Sequence, residues 1–244
     1  EFGKGEGCAT VLVGHTHWDH ILGYPFFWPF YVAGNRFRFV SAGQTGVSIQ
    51  EILSGQHHDL HFPVPFDDLA ADIQYREFSI GEALAFEDVK LRTFQLNHPG
   101  LTVAYRIEAD GATVVVITDT ARIHAVRLGD NMGGLDPDAA YAERYTDRLT
   151  QFAENADVLV HDAHFFEHEI LGKEHWGHCT GEDALILARR ANVSKLVLFH
   201  HAPEHSDADV DQILHNTRDL ARRDDVEVVA AQEGATLELG GDAP

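Results

Sequence analysis

Six residues at 15–20, His15-Thr16-His17-Trp18-Asp19-His20, bring three imidazoles and a carboxylate into one short stretch of chain. Imidazoles and carboxylates are ordinary ligands of zinc and related divalent ions. His15 and His17, two apart on an extended turn, can present both rings to one metal, while Asp19 and His20 lie on the next turn and can face a second. One motif thus supplies two half-sites. The bland alternative is a polar turn with fortuitous histidines. Against it stand further candidate ligands at the ends of later strand-like runs: His98 in LNHPG, Asp119 in ITDT and His200 in LVLFHH. His201 also offers a ring, but neighbouring strand residues point to opposite faces, so only one of His200 and His201 is expected at any one site.

These groups need elements to position them. The apolar run 9–13 reads as a buried strand that stops at Gly14, just before the histidine motif. Strands are expected over 37–42, 73–78, 89–96, 102–108 and 113–118, with Asp110-Gly111 turning the chain between the last two in an antiparallel section. A helical pattern surrounds Ile49, Ile52 and Leu53. The Gly- and Asp-rich stretch within 121–137 reads as a mobile loop before a helix near 138–154. A strand at 158–160 comes next, and Thr180-Gly181-Glu182-Asp183 has the form of a capping box opening a helix. Strand 196–199, a helix through Val210, Ile213, Leu214 and Thr217, and closing strands at 226–230 and 235–239 complete the pattern. Alternation of strands and helices places the chain among α/β layered proteins.

Composition limits what such a chain can do. With 244 residues, 44% of them hydrophobic, it can bury one full core, and 1–244 reads as a single domain. Lys and Arg number 18 against 39 Asp and Glu, a formal charge of -21, which disfavours extended nucleic-acid binding and anionic membranes. The apolar run 21–33 is interrupted by Pro25 and Pro29 and is too short to span a bilayer. Two cysteines, Cys8 and Cys179, make no disulfide framework, so a cytoplasmic setting is expected. The aromatic stretch 24–28 is read as packing rather than as a pocket wall. The chain opens on Glu1-Phe2 rather than methionine, which raises the expectation of a start further upstream.

The HTHWDH motif after a strand, followed in order by His98, Asp119 and His200, resembles the metallo-β-lactamase superfamily. The resemblance implies an αββα sandwich carrying a dinuclear site, lacking here part of its N-terminal sheet. An exposed sheet edge would then favour a homodimer. By the same resemblance His15, His17 and His98 would hold one metal, Asp19, His20 and His200 a second, and Asp119 would bridge them. The expected cofactors are two divalent ions, Zn²⁺ foremost, with Mn²⁺ or iron as alternatives. Such a pair offers a nucleophile from water at neutral pH and draws in a small anionic substrate despite the acidic chain.

His178 in WGHCTGEDA looks like the Gly-His-Ser-Thr stretch of the branch containing tRNase Z and related phosphodiesterases, with Cys179 in place of the serine. Asp162 in VLVHDAHF stands where that branch has an acidic residue. The resemblance implies catalytic roles for His178 as general acid, Asp162 as its orienting partner and Asp19 at the metals. A satisfied helix-end histidine is the duller account of His178. Only a short hairpin joins His98 to Asp119, leaving no room for a long RNA-binding arm, so a small or cyclic phosphodiester is the expected substrate. Alternatives are a lactonase or thioesterase attacking a carbonyl, a di-iron redox protein, and a non-catalytic metal-binding protein.

Overall fold

The computed structural model describes residues 1–86, 88–122, 139–222 and 225–239. It divides into two compact units, Glu1–Ile80 and Gly81–Pro244. The stretch read as a mobile loop lies outside the described residues from 123 onward; Ala121 and Arg122 fall within them.

The first unit contains β1 (Cys8–Val13), α1 (Trp18–Ile21), β2 (Arg36–Ala42), α2 (Ile49–Ser54) and β3 (Asp72–Phe78). Its three strands are all parallel, in the order β1-β2-β3, with Val11 beside Phe39 and Phe39 beside Tyr75. The alternation Arg36, Phe37, Arg38, Phe39 puts both phenylalanines inside and both arginines outside, as the period of two in a strand requires. Phe37 and Phe39 then pack with Val13, Tyr24, Phe30, Ile49 and Leu53 in one apolar cluster. α2 begins where Ser48 and Glu51 satisfy each other's backbone N–H groups in a capping box.

Asn35, fully buried, ties three segments of this unit together. Its carbonyl oxygen accepts from Gly7 N at 2.9 Å, and its amide nitrogen donates to the Phe2 and Pro29 carbonyls, each at 2.9 Å. The aromatic stretch divides. Tyr24 and Pro25 are buried, whereas Phe26 and Trp28 are 69% and 57% exposed, so the packing expectation holds for only part of it. The cause is local: two short 3₁₀ turns, Tyr24–Phe26 and Trp28–Tyr31, rotate successive rings to different sides.

In the second unit the order is β4 (Leu84–Phe86), β5 (Val89–Gln95), β6 (Val103–Ala109), β7 (Ala112–Ile117), α3 (Ala139–Ala153), β8 (Val158–Asp162), α4 (Gly181–Arg190), β9 (Lys195–Phe199), α5 (Asp207–Ala221) and β10 (Glu227–Ala230). Its seven strands form a single sheet, β10-β9-β8-β7-β6-β5-β4. From β4 to β7 the pairing is antiparallel, and from β7 to β10 it is parallel. Asp110 and Gly111, with φ of 50° and 79°, make the two-residue turn between β6 and β7 that their types predict. The closing strand expected at 235–239 does not form; Leu237 and Leu239 are exposed there and have no apolar face to cover.

This topology positions chemistry. β5, β7, β8 and β9 run in one direction, so their carboxyl ends share one edge of the sheet. His98, Asp119, Asp162 and His200 sit at or within three residues of those four ends. α4 opens on a Thr180–Asp183 capping box and packs tightly on α5: a Cβ at Gly181 would lie 2.3 Å from Thr217 Oγ1, so only glycine allows the approach. Leu149, Leu159, Leu187, Leu196 and Leu198 fill the core beneath.

Replacing Asn35 by alanine strands buried backbone groups at residues 2, 7 and 29. The expected loss is roughly 2–4 kcal/mol of unfolding free energy. Urea denaturation measures it, and an unchanged midpoint would refute the tie.

Candidate metal centre

In the first unit β1 delivers the motif. Val13 is its last residue, Gly14 breaks the strand, and His17 becomes the N-cap of the single-turn α1. The turn folds the rings toward one another: His15 lies 4.5 Å from His17 and 4.3 Å from His20, centroid to centroid. His15 is buried, while Asp19 remains largely exposed and pairs with His20 at 3.2 Å. Imidazoles and a carboxylate are residue types that can ligate a divalent metal.

In the second unit His98, Asp119 and His200 converge. His98 Nδ1 donates to the Gly177 carbonyl at 2.9 Å, which fixes the tautomer and turns Nε2 toward Asp119 Oδ2, 3.8 Å away. His200 Nε2 approaches the same oxygen at 3.4 Å. Asp119 is 1% exposed. Two imidazole nitrogens directed at one buried carboxylate oxygen, at spacings that admit an ion between them, fit the bridging arrangement implied by the sequence.

His200 does not sit on the strand. It follows Phe199 with φ of 56°, in the left-handed region, so alternation along β9 does not decide between His200 and His201. The turn carries His200 to Asp119. It leaves both ring nitrogens of His201 buried, without a hydrogen-bond partner among the described residues.

Beside this group stands a dyad. His178 Nδ1 donates to Asp162 Oδ2 at 2.8 Å, and the His178 ring is 5.1 Å from that of His98. Asp162 is completely buried, and its carboxylate is compensated by many donors. Besides His178 it accepts from the backbone N–H of Thr120 at 3.3 Å, of His164 at 3.1 Å and of Cys179 at 3.3 Å. A buried carboxyl group so bonded is itself fixed and holds the imidazole in one orientation. His98, Asp119 and His178 also place one ligand atom each within 4.8 Å of one another.

His164, to which the sequence assigns no ligand role, stacks on His178 at 4.2 Å and reaches His200 with its Nδ1. Burial, reinforced by the neighbouring His178, pushes its pKa down to about 4, so it is neutral at physiological pH. The available signal was its place two residues beyond Asp162 at a strand end. Cys179, where the resembled stretch has serine, is buried with its thiol pKa pushed well up by desolvation, and it hydrogen-bonds the Asp162 carbonyl. A thiol reagent should therefore titrate exposed Cys8 promptly and Cys179 only on unfolding; two fast equivalents would contradict this burial.

Arg122 reaches back to the same region, bonding buried Asp183 at the α4 cap and Glu167. No described helix is long and apolar enough to cross a membrane.

Comparison with known proteins gives consistent relatives. The family described as Beta-lactamase superfamily domain matches residues 4–201. Ribonuclease Z of Thermoplasma acidophilum is 26% identical over 232 residues, spanning 82% of this chain and 71% of that protein. Among solved structures, the metallo-beta-lactamase fold protein YhfI of Bacillus subtilis superposes with a TM-score of 0.64 at 18% identity, over 93% of this chain and 75% of its own. Human tRNase Z, short form, gives 0.60 at 13% identity, over 95% of this chain and 79% of its own. The superpositions show a common fold.

Gly177 has φ of 85°, and a Cβ there would fall 2.7 Å from His98 Nδ1 and 2.6 Å from Pro99 Cδ. Gly177→Ala should displace the His98 ring and weaken metal binding about 10–100-fold. Equilibrium competition against a chromophoric chelator reads this, and wild-type affinity would refute it.

Proposed function

The chain belongs to the β-lactamase superfamily domain family, as a metal-dependent hydrolase of metallo-β-lactamase fold, and we propose that it cleaves a small or cyclic phosphodiester at a two-metal centre. The proposed ligands are His15, His17 and His98 for one ion, Asp19, His20 and His200 for the other, with Asp119 shared. That assignment rests on the order of the motifs along the chain, and it makes the two units parts of one catalytic domain. Zinc is the proposed metal, because the donors are mostly imidazole with few carboxylates.

The observation that carries the reaction type is the His178–Asp162 pair, 2.8 Å long, standing beside His98 and Asp119. Bound divalent ions would supply a water-derived nucleophile and offset charge on the attacked phosphorus. The residues supply the rest. Asp162 stabilises the imidazolium form of His178 and keeps Nδ1 occupied, so that Nε2 holds the proton the departing alkoxide needs. Asp19 is proposed to act at the metals, as a ligand of the second ion.

A thioester needs less of this, because a thiolate departs without a general acid. A second reading, an RNA substrate, is favoured by the relatives named Ribonuclease Z. The formal charge of -21 weighs toward the smaller substrate, since it removes the broad basic surface that polyanion tracking uses.

Side-by-side assay with added Zn²⁺ or Mn²⁺ of bis-p-nitrophenyl phosphate, a cyclic nucleotide, a structured RNA, a lactone and a thioester tests the ranking. Turnover of the small phosphodiesters ahead of the others is expected; turnover of the lactone or thioester with the phosphodiesters inert would overturn the reaction type. His178→Ala should lower kcat about 10²–10⁴-fold on an alkyl phosphodiester, and much less on a nitrophenyl ester that needs no acid, with bound metal unchanged. Loss of metal instead would make His178 a ligand.

A further inference from the structure

His164 lies between the dyad and a proposed ligand, and every contact that places it belongs to the second unit. Its backbone N–H donates to Asp162 Oδ1 at 3.1 Å, one of its ring faces stacks on His178 at 4.2 Å with planes 17° apart, and Phe165 meets it edge-on at 4.5 Å. The ring is thereby held rigidly, and 7% of the residue is exposed. Its Nδ1 atom is 2.7 Å from the His200 carbonyl oxygen and 3.1 Å from His200 Nδ1, with the two rings only 27° from parallel and their centroids 5.0 Å apart. Rings so separated lie nearly side by side, nitrogen toward nitrogen.

Hydrogen accounting places a single hydrogen among these three atoms. A carbonyl oxygen only accepts, so the 2.7 Å contact requires the hydrogen on His164 Nδ1. His200 Nδ1 is then a bare lone pair, and a neutral His200 carries its hydrogen on Nε2, the atom directed at Asp119. With Nε2 given over to a metal, a neutral His200 must carry its hydrogen on Nδ1 instead. That hydrogen meets His164 Nδ1, which accepts it only if the His164 hydrogen has moved to Nε2.

We propose that His164 is a positioning residue for His200, serving it through alternative hydrogen bonds: Nδ1–H to the His200 carbonyl without metal, and Nδ1 as acceptor from His200 Nδ1–H when His200 Nε2 is a ligand. This rests on the metal reading of His200 above. The role matters at this ligand in particular because His200 is left-handed at φ 56°, a conformation that a non-glycine residue holds only when its surroundings impose it. The His164 contact to the carbonyl is one such restraint, and the Ala163 N–H bond to the Phe199 carbonyl at 2.9 Å is another. A ligand's outer hydrogen-bond partner orients it and raises its basicity, so removing it weakens metal binding.

Side-chain ¹⁵N NMR of the uniformly labelled wild-type protein, metal-free and zinc-loaded, tests this directly. The expected result is that zinc shifts His200 to the Nδ1–H form and His164 from Nδ1–H to Nε2–H together. If His200 changes while His164 keeps its tautomer, the positioning role is overturned and the metal reading stands; if zinc changes neither histidine, the metal reading of His200 itself fails. His164→Phe, which keeps a ring and removes the nitrogens, should bind its weaker zinc 10–100-fold less tightly. His164→Asn, whose amide can donate or accept near the Nδ1 position, should restore most of that affinity. Wild-type zinc affinity in the Phe variant, or an equal loss in both variants, would contradict the proposal. Should the Phe variant not fold, the wild-type tautomer measurement decides.

Discussion

A single buried carboxylate organises the second unit's catalytic edge. Burying an acidic side chain without hydrogen-bond partners is prohibitive, so Asp162, with no exposed surface, requires donors around it. Those donors come from separate stretches: the peptide of Thr120 beyond β7, the peptide of His164 beyond β8, and both the ring of His178 and the peptide of Cys179 ahead of α4. Satisfying this side chain therefore fixes the exits of two strands and the entry of a helix at once. Asp119 lies one residue before Thr120, so the same requirement bears on the residue to which His98 and His200 point.

The order of strands was legible from the sequence, because buried parallel strands are short apolar runs and the hairpin at Asp110-Gly111 announces itself. Thr180 and Asp183 marked the start of α4, and Ser48 and Glu51 opened α2 by the same device. The residue types that the fold gathers at the carboxyl edge were legible too, as His and Asp at the ends of strand-like runs. What could not be read is geometry that depends on partners distant in the chain. β4, three residues long, has too little sequence to carry a period. The 235–239 run alternates well enough, yet it joins neither sheet among the described residues and Leu237 and Leu239 stay exposed. His164 has no special pattern around it, and its position becomes meaningful only once β8 and β9 lie side by side. Strand alternation leaves His200 and His201 open and only the resemblance favours His200; the structure adds a left-handed residue just past the strand, which turns His200 toward Asp119.

Charge acts on two length scales. Over the whole chain acidic residues outnumber basic ones by about two to one, and the field at long range repels polyanions. Near the site the balance is local and set by contacts of a few ångströms. Arg122 is an example: burial alone would weaken its cationic form, but Glu167 and Asp183 more than compensate and hold its pKa above the usual guanidinium value. The partner Asp183 in turn accepts from the Thr180 hydroxyl and backbone at the α4 cap. A cation is thus tied to the helix that follows the dyad, within a chain whose net charge would suggest none was available.

The parallel half of the large sheet has a kinetic meaning. Val116 pairs with Val160, and Val160 with Val197, so each joining requires a long intervening segment to close before any ladder forms. Asp119, Asp162 and His200 reach one another only through those late pairings. A partly folded chain, or one still emerging from the ribosome, presents these side chains far apart and has no assembled set to trap an ion prematurely. Assembly of this set of side chains is consequently a step that follows formation of the parallel half of the sheet.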